Sequence, residues 1–276
     1  QWDFIKSIID MFQLLIMPNP NNTTELIIEP YNDWVDQGAL LDWTNKVDIK
    51  EIKQDPISGL AKRLVFAHKE DEPDWVTINH NYPNTWQWPY IQINNISIFD
   101  KAEQTLETKV FSSTEFGKTL GNEFVIPQII NSDTSLKSWP NQWRVLYDNG
   151  IKTLPTTTYD TYGWTPDGTT YLQFSPVSDI PQIAGTTSSD FGVVNYNGVG
   201  NVLNGLYNMW WAKYIDELYH KDTRIVNLKI YLKPTDIETF EFNDVILIAN
   251  KKYRCTKIDY RAGALSKIQL ITIKDL

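Results

Sequence analysis

The chain has 276 residues, 42% hydrophobic and 21% charged, enough apolar material for a sizeable core in one large domain or two smaller ones. Its net charge is −9 and its longest basic run is Lys251-Lys252, so the sequence displays neither the electrostatic footprint of a general nucleic-acid binder nor a local basic patch. The single cysteine, Cys255, rules out an intrachain disulfide framework and a multi-cysteine zinc site.

Residues 1–17 carry a helical period, with Ile5, Ile8/Ile9, Phe12 and Leu15/Ile16 on one stripe, and Pro18 and Pro20 are expected to end it. Asp3, Lys6 and Asp10 on the other side make the stretch neither a signal peptide nor a membrane span. The start at Gln1 reads as a chain that begins inside a longer polypeptide. After a polar turn at 19–24, Glu25-Leu26-Ile27-Ile28-Glu29 reads as a short strand. Extended segments follow at Leu40–Trp43, Val47–Lys53 and Lys62–Ala67, and residues 70–90, rich in Pro, Asn and Trp, form an irregular excursion. Ile91–Phe99 alternates, with a bulge or turn at Asn94-Asn95.

Between Phe111 and about Asn201 no period lasts, and turn chemistry is dense at Asn149-Gly150, Asp167-Gly168 and Asn197-Gly198. Residues 184–200, with four glycines, predict a long, mobile loop. Residues 201–220 predict a second helix whose apolar face, with Trp210, Trp211, Tyr214 and Ile215, is wider than a single stripe. The last 55 residues are the most legible. Val226, Leu228, Ile230 and Leu232 alternate with Asn227, Lys229 and Tyr231 as a half-buried strand. A turn, helical in part, begins at Pro234. Val245–Ala249 and Lys252–Ile258 flank an Asn250-Lys251 hairpin turn, and Lys267–Ile273 supplies another strand.

Few residues point to chemistry. The histidines His68, His80 and His220 share no helix turn. His68 lies near Glu70, Asp71 and Glu72, which read as a solvated acidic loop sooner than as a metal site. Cys255 on a strand reads as a small core residue. No Gly-x-Ser-x-Gly elbow or phosphate-cradling loop is present. Asp160, Asp167, Asp179 and Asp190 among Tyr159, Tyr162, Trp164 and Tyr171 could line a sugar-binding or glycosidase cleft, or lie on ordinary surface turns. Trp86-Gln87-Trp88-Pro89-Tyr90 could anchor a partner chain or a glycan, or be a packed loop. No cofactor, metal or catalytic residue is expected.

Several segments together resemble structural proteins of tailed bacteriophages. They are Asp3–Ile16 with Leu26–Pro30, Asp42–Asp48, Trp211–Tyr219 with Asp222–Arg224, and the ending from Leu232–Ile237 through Phe242–Asp244 to Tyr253–Tyr260 and Leu270–Lys274. The resemblance is to tail hub and baseplate proteins, including those of crAss-like phages of Bacteroidota. It covers the two ends of the chain and leaves about 100–200 unplaced. It implies a virion protein located in the phage tail, a homo-oligomeric ring or hub, other tail proteins as partners, and no catalysis.

The fold expected is α+β, mostly β, with antiparallel barrel-like domains, a few packing helices and a long loop-rich insertion. Residues 1–100 would hold the N-terminal helix and a barrel-like part, 101–200 the insertion, and 201–276 a helix and a C-terminal barrel-like part that joins the strands of 25–70. Trp43, Trp86, Trp88, Tyr90, Trp164, Trp210, Trp211 and Tyr214 are the candidate packing or interface anchors, without nucleic-acid binding or a membrane span and with glycan contact as the alternative role.

Overall fold

A computed structural model describes residues 1–19, 21–69, 71, 91–94, 101–112, 115–118, 124–128, 142–148, 173–174, 177–178, 189–191 and 205–273. The N-terminal part runs α1 (Trp2–Phe12), β1 (Leu14–Asn19), β2 (Asn22–Pro30), α2 (Tyr31–Asp36), β3 (Leu40–Asp42), a 3₁₀ turn (Thr44–Lys46), β4 (Val47–Pro56) and β5 (Ala61–Ala67). The central strands are β6 (Ile91–Asn94), β7 (Lys101–Glu107), β8 (Glu115–Lys118), β9 (Phe124–Gln128), β10 (Tyr147–Asp148), β11 (Gln173–Phe174) and β12 (Val177–Ser178). A π-helical turn (Tyr207–Trp211) leads into α3 (Ala212–Tyr219), followed by β13 (Arg224–Tyr231), α4 (Pro234–Glu238), β14 (Val245–Ile248), β15 (Lys251–Asp259) and β16 (Leu265–Thr272). The class is α+β and mostly β.

Contacts divide the chain into two compact units, each assembled from three stretches far apart in sequence, so the division cuts across cuts at 100 and 200. The first unit comprises 1–14, 63–94 and 102–211, and the second 15–62, 95–101 and 212–276.

The second unit is built on one six-stranded sheet in the order β3-β14-β15-β16-β13-β4. Strands β13 to β16 are antiparallel to their neighbours, while β3 adds to β14 in parallel. Of the strands of 25–70 expected to join the C-terminal ones, β3 and β4 flank them, while β2 pairs with β1, and β5 with β6 and β7. Chain reach shows how this sheet is curved. Laid flat, six strands would put their outer members about 24 Å apart at ~4.8 Å per gap. The chain from Asp42 to Val47 spans at most about 18 Å, and part of it is a tight turn. The sheet must therefore roll toward itself. No closed barrel results among the described residues, because β3 and β4 stay unpaired edges. The expected α+β, mostly β class holds, with one departure from an antiparallel barrel-like sheet, the parallel β3.

Inside the roll, Val226, Leu228, Ile230 and Leu232 pack with Ile246, Ile248, Tyr253, Cys255, Ile268 and Leu270. The alternation read from 226–232 is present, with Asn227 and Lys229 on the outer face. Trp43, 2% exposed at the turn between β3 and β4, belongs to the same core, its ring 5.5 Å from that of Phe240. Burial pushes the Cys255 thiol up to about 12, which keeps it a neutral core group. The hairpin turn falls one residue earlier than expected. Ile248 pairs with Lys251, so Ala249-Asn250 is the two-residue loop, both with positive φ, 47° and 66°.

Two clamps tie the N-terminal stretch of this unit to its C-terminal strands. Asp244, 4% exposed, accepts the Ala39 amide at 2.8 Å on one carboxylate oxygen and the Glu241 amide at 2.9 Å on the other. Arg254 donates to Glu217 at 3.2 Å, and the Tyr31 hydroxyl donates to the same carboxylate at 3.4 Å. Burial raises the Tyr31 hydroxyl above its ordinary value, which keeps it a neutral donor.

In the first unit α1 lays Phe4 against Phe111, with centroids 5.1 Å apart, and Phe12 against Tyr147 and Trp210. Ser7, fully buried, donates to the Asp3 carbonyl and accepts the Lys109 amide at 2.8 Å. The sheet β6-β5-β7 places Phe66 against Phe191, Tyr207 and Trp211. Smaller pairings are β8-β9-β11 and β10-β12.

Two helix expectations are corrected. α1 ends at Phe12, because Gln13 adopts a left-handed conformation (φ 48°) and its amide caps the Ile9 carbonyl. Leu14-Leu15-Ile16-Met17 then continues as strand, not helix. The second helix is not uniform, since Tyr207–Trp211 is wound as a π-turn, which advances the tryptophans relative to a regular α-helical stripe.

Candidate assembly surface

Among the described residues, the hairpin β1–β2, a sheet of two strands, carries several exposed apolar side chains. Polar side chains shape its turn. Asn19 Oδ1 accepts the Asn21 amide at 2.9 Å, and Asn22 Oδ1 accepts both the amide and the hydroxyl of Thr24. Along β2, Leu26 and Ile28 face one side and Ile27 the other by strand alternation. Leu26 is 65% exposed, Ile28 57% and Ile16 of β1 43%. Both faces are open, and a two-stranded sheet alone is marginal in water. Pro18 removes a backbone donor from β1, so β2 carries the more complete hydrogen-bonding edge.

A second surface lies on the outer face of the rolled sheet. Strand β4 pairs with β13 at Asp48↔Lys229 and resumes at Lys53↔Asn227, so residues 49–52 face Leu228 alone. Four residues against one throw Ile49–Ile52 out as an arch, and Ile49 is 80% exposed. Below it is a groove of about 770 Å³. Across its floor Lys229 stands directly opposite Lys267, and Asn227 opposite Gln269, which is opposite Lys257. Lys53, Glu51 and Asp259 complete the charged lining, four lysines against two carboxylates. Lys229 pairs with Glu51, and Lys53 with Asp55 at 3.0 Å. Lys257 and Lys267 make no ion pair among the described residues. A basic patch invisible as a run in the sequence is thus assembled from four strands.

The third polar feature is buried in the first unit. A carbonyl only accepts, so the proton of the His68 ring sits on Nε2, which donates to the Ser189 carbonyl at 2.9 Å. Nδ1 lies 3.3 Å from the Thr108 hydroxyl, and Asp190 Oδ1 lies 3.6 Å from Nε2. Desolvation, with the positive charge of Arg144 adding to it, lowers the imidazole to about 4. Asp71 meets Arg144 at 2.7 Å, both side chains at least nine-tenths buried. His68 and Asp71 were expected on a solvated acidic loop, and Asp190 in a sugar-binding or glycosidase cleft or on a surface turn. All three are buried at 5% exposure or less, where His68 and Asp71 link their strand end to Ser189 and to Arg144. No group of three or more potential ligands that could hold a metal occurs among the described residues.

The aromatic candidates separate by place. Trp43 is a core residue of the second unit. Trp210 packs edge-on to Phe12 at 6.2 Å, and its buried indole N–H has no hydrogen-bond partner among the described residues. Trp211 stacks near Phe66 and donates to the Asp10 carbonyl at 2.9 Å. Tyr214 lies edge-on to Tyr31 at 5.2 Å. Trp86, Trp88, Tyr90 and Trp164 lie outside the described residues, as do Asp160, Asp167 and Asp179. No family model and no curated protein matches this sequence. No helix among the described residues is long and apolar enough to cross a membrane.

Sequence reasoning looked for interfaces among aromatics and passed over the aliphatic hairpin. The signal was present in Leu26-Ile27-Ile28, an unalternating apolar triplet between Glu25 and Glu29. Such a triplet leaves an apolar side chain on each face of a strand, and one face at least needs a cover.

Proposed function

We propose that this chain is a structural subunit that works by assembly and not by catalysis, a hub, ring or baseplate component of a phage tail with other tail proteins as its neighbours and the virion as its location. The observation that carries the assembly reading is the β1–β2 hairpin, which offers Ile16, Leu26, Ile27 and Ile28 to solvent on a sheet with two free edges. Covering Leu26 and Ile28 on assembly gains about 2 kcal/mol for each side chain fully buried. A lone monomer leaves that stabilisation unused. The tail assignment rests on the sequence resemblance at the two ends of the chain.

Mass photometry or sedimentation velocity of the purified chain across a concentration series tests the reading. A discrete oligomer, or assembly driven by concentration, supports it. A strict monomer at every concentration removes it. Electron microscopy of the assembled species then asks whether the oligomer is a ring.

A further inference from the structure

We infer that copies of this chain join head to tail, the β1–β2 hairpin of one copy seating in the cationic groove under the β4 arch of the next. The inference rests on the assembly reading and names the two surfaces that would carry it. Both belong to the second unit, and both are exposed in the single copy.

The two surfaces are complementary in charge and in polarity. From Leu14 to Pro30 the hairpin holds two charges, Glu25 and Glu29, both negative. Among the described residues their hydrogen-bond partners are amides, Asn19 Nδ2 at 3.0 Å for Glu25 and Gln37 Nε2 at 3.3 Å for Glu29. Neither carboxylate meets a cation among the described residues. The groove presents the reverse. Its lining of Lys53, Lys229, Lys257 and Lys267 against Glu51 and Asp259 sums to +2 in a chain whose net charge is −9. Two of its lysines, Lys257 and Lys267, make no ion pair within 4 Å among the described residues; Lys267 has Lys229 opposite it on one side and Asp259 on the other, and Lys257 has Gln269. Like charges placed directly opposite destabilise a sheet, and Glu51 on Lys229 and Asp259 beside Lys267 offset two of the four lysine charges, which leaves the groove net positive.

Strand alternation puts Glu25, Ile27 and Glu29 on one face of β2. That face matches the lysine floor, and Leu26 and Ile28 on the other face are matched in kind by Ile52, which lines the groove, and by exposed Ile49 on the same arch. The two surfaces differ from one another, so the contact is heterologous. Repetition gives a closed ring when the rotation between copies closes and a filament when it does not.

Charge reversal on each side tests it. The variants are E25K/E29K on the hairpin and K257E/K267E in the groove, with Glu25, Lys257 and Lys267 exposed and Glu29 half-buried. Each alone is expected to raise the concentration needed for assembly at least tenfold. Mixed in equal amounts, the two variants restore assembly, because a lysine hairpin now meets a glutamate groove and the unreversed hairpin meets the unreversed groove. The restored mixture also shows that both variants are folded. If wild-type chains assemble and either reversal leaves the assembly concentration unchanged, or if the mixture stays monomeric, the head-to-tail contact is wrong while the assembly reading stands. If wild type is monomeric throughout, both fall together.

Discussion

Asp244→Asn removes half of the joint that holds the N-terminal stretch of the second unit to its C-terminal strands. The carboxylate accepts two backbone amides, Ala39 on one oxygen and Glu241 on the other, at 2.8 and 2.9 Å in a site only 4% exposed. Asparagine offers one acceptor and turns an NH₂ toward the other amide. One charge-assisted hydrogen bond is lost, worth about 2 kcal/mol, and one buried N–H is left unpaired beside another donor. The expected loss is about 3 kcal/mol, more than a hundredfold in the folding equilibrium of this unit. The site has no slack to relax into. A Cβ added at neighbouring Gly38 would stand 1.9 Å from the Asn243 carbonyl oxygen, so the two segments already touch through backbone. Urea unfolding followed by tryptophan fluorescence reads the change, with Trp43 as the natural reporter in the core beside this joint. Hydrogen exchange at the Ala39 and Glu241 amides locates it. A shift under about 0.5 kcal/mol, with those amides still protected, would show that the carboxylate is not the joint.

Two further outcomes follow from the geometry. Folding holds His68 neutral down to about 4 against an ordinary value near 6.5. The unfolded chain therefore gains a proton as pH falls through 6.5 while the folded chain does not. Stability of the first unit is full above about 6.5 and declines toward 4, by about 1 kcal/mol per pH unit, and His68→Gln should flatten that slope in thermal melts taken across the window. Ala249 sits at φ 47° in the tight hairpin loop, so Ala249→Gly should stabilise the β14–β15 hairpin by about 1 kcal/mol, seen as a raised urea midpoint at unchanged slope.

The sequence by itself determined the class and the C-terminal strands, because period two at Val226–Leu232 is a local property of a half-buried strand. It also determined the burial of Cys255 and the helical turn at Pro234, where Asp236 accepts the Lys233 amide at 2.9 Å. Where the first helix ends was not legible, since an apolar run such as Leu14–Met17 suits helix and strand alike until Gln13 turns left-handed. Only the tertiary structure decided that β3 and β4 flank the C-terminal strands, that His68 and Asp190 are buried together, and that Lys53, Lys229, Lys257 and Lys267 share one groove. Each joins residues more than a hundred positions apart or residues of different strands. Such proximity depends on the register and rolling of a sheet, which are set by the packing of all its strands at once and leave no mark within any one of them.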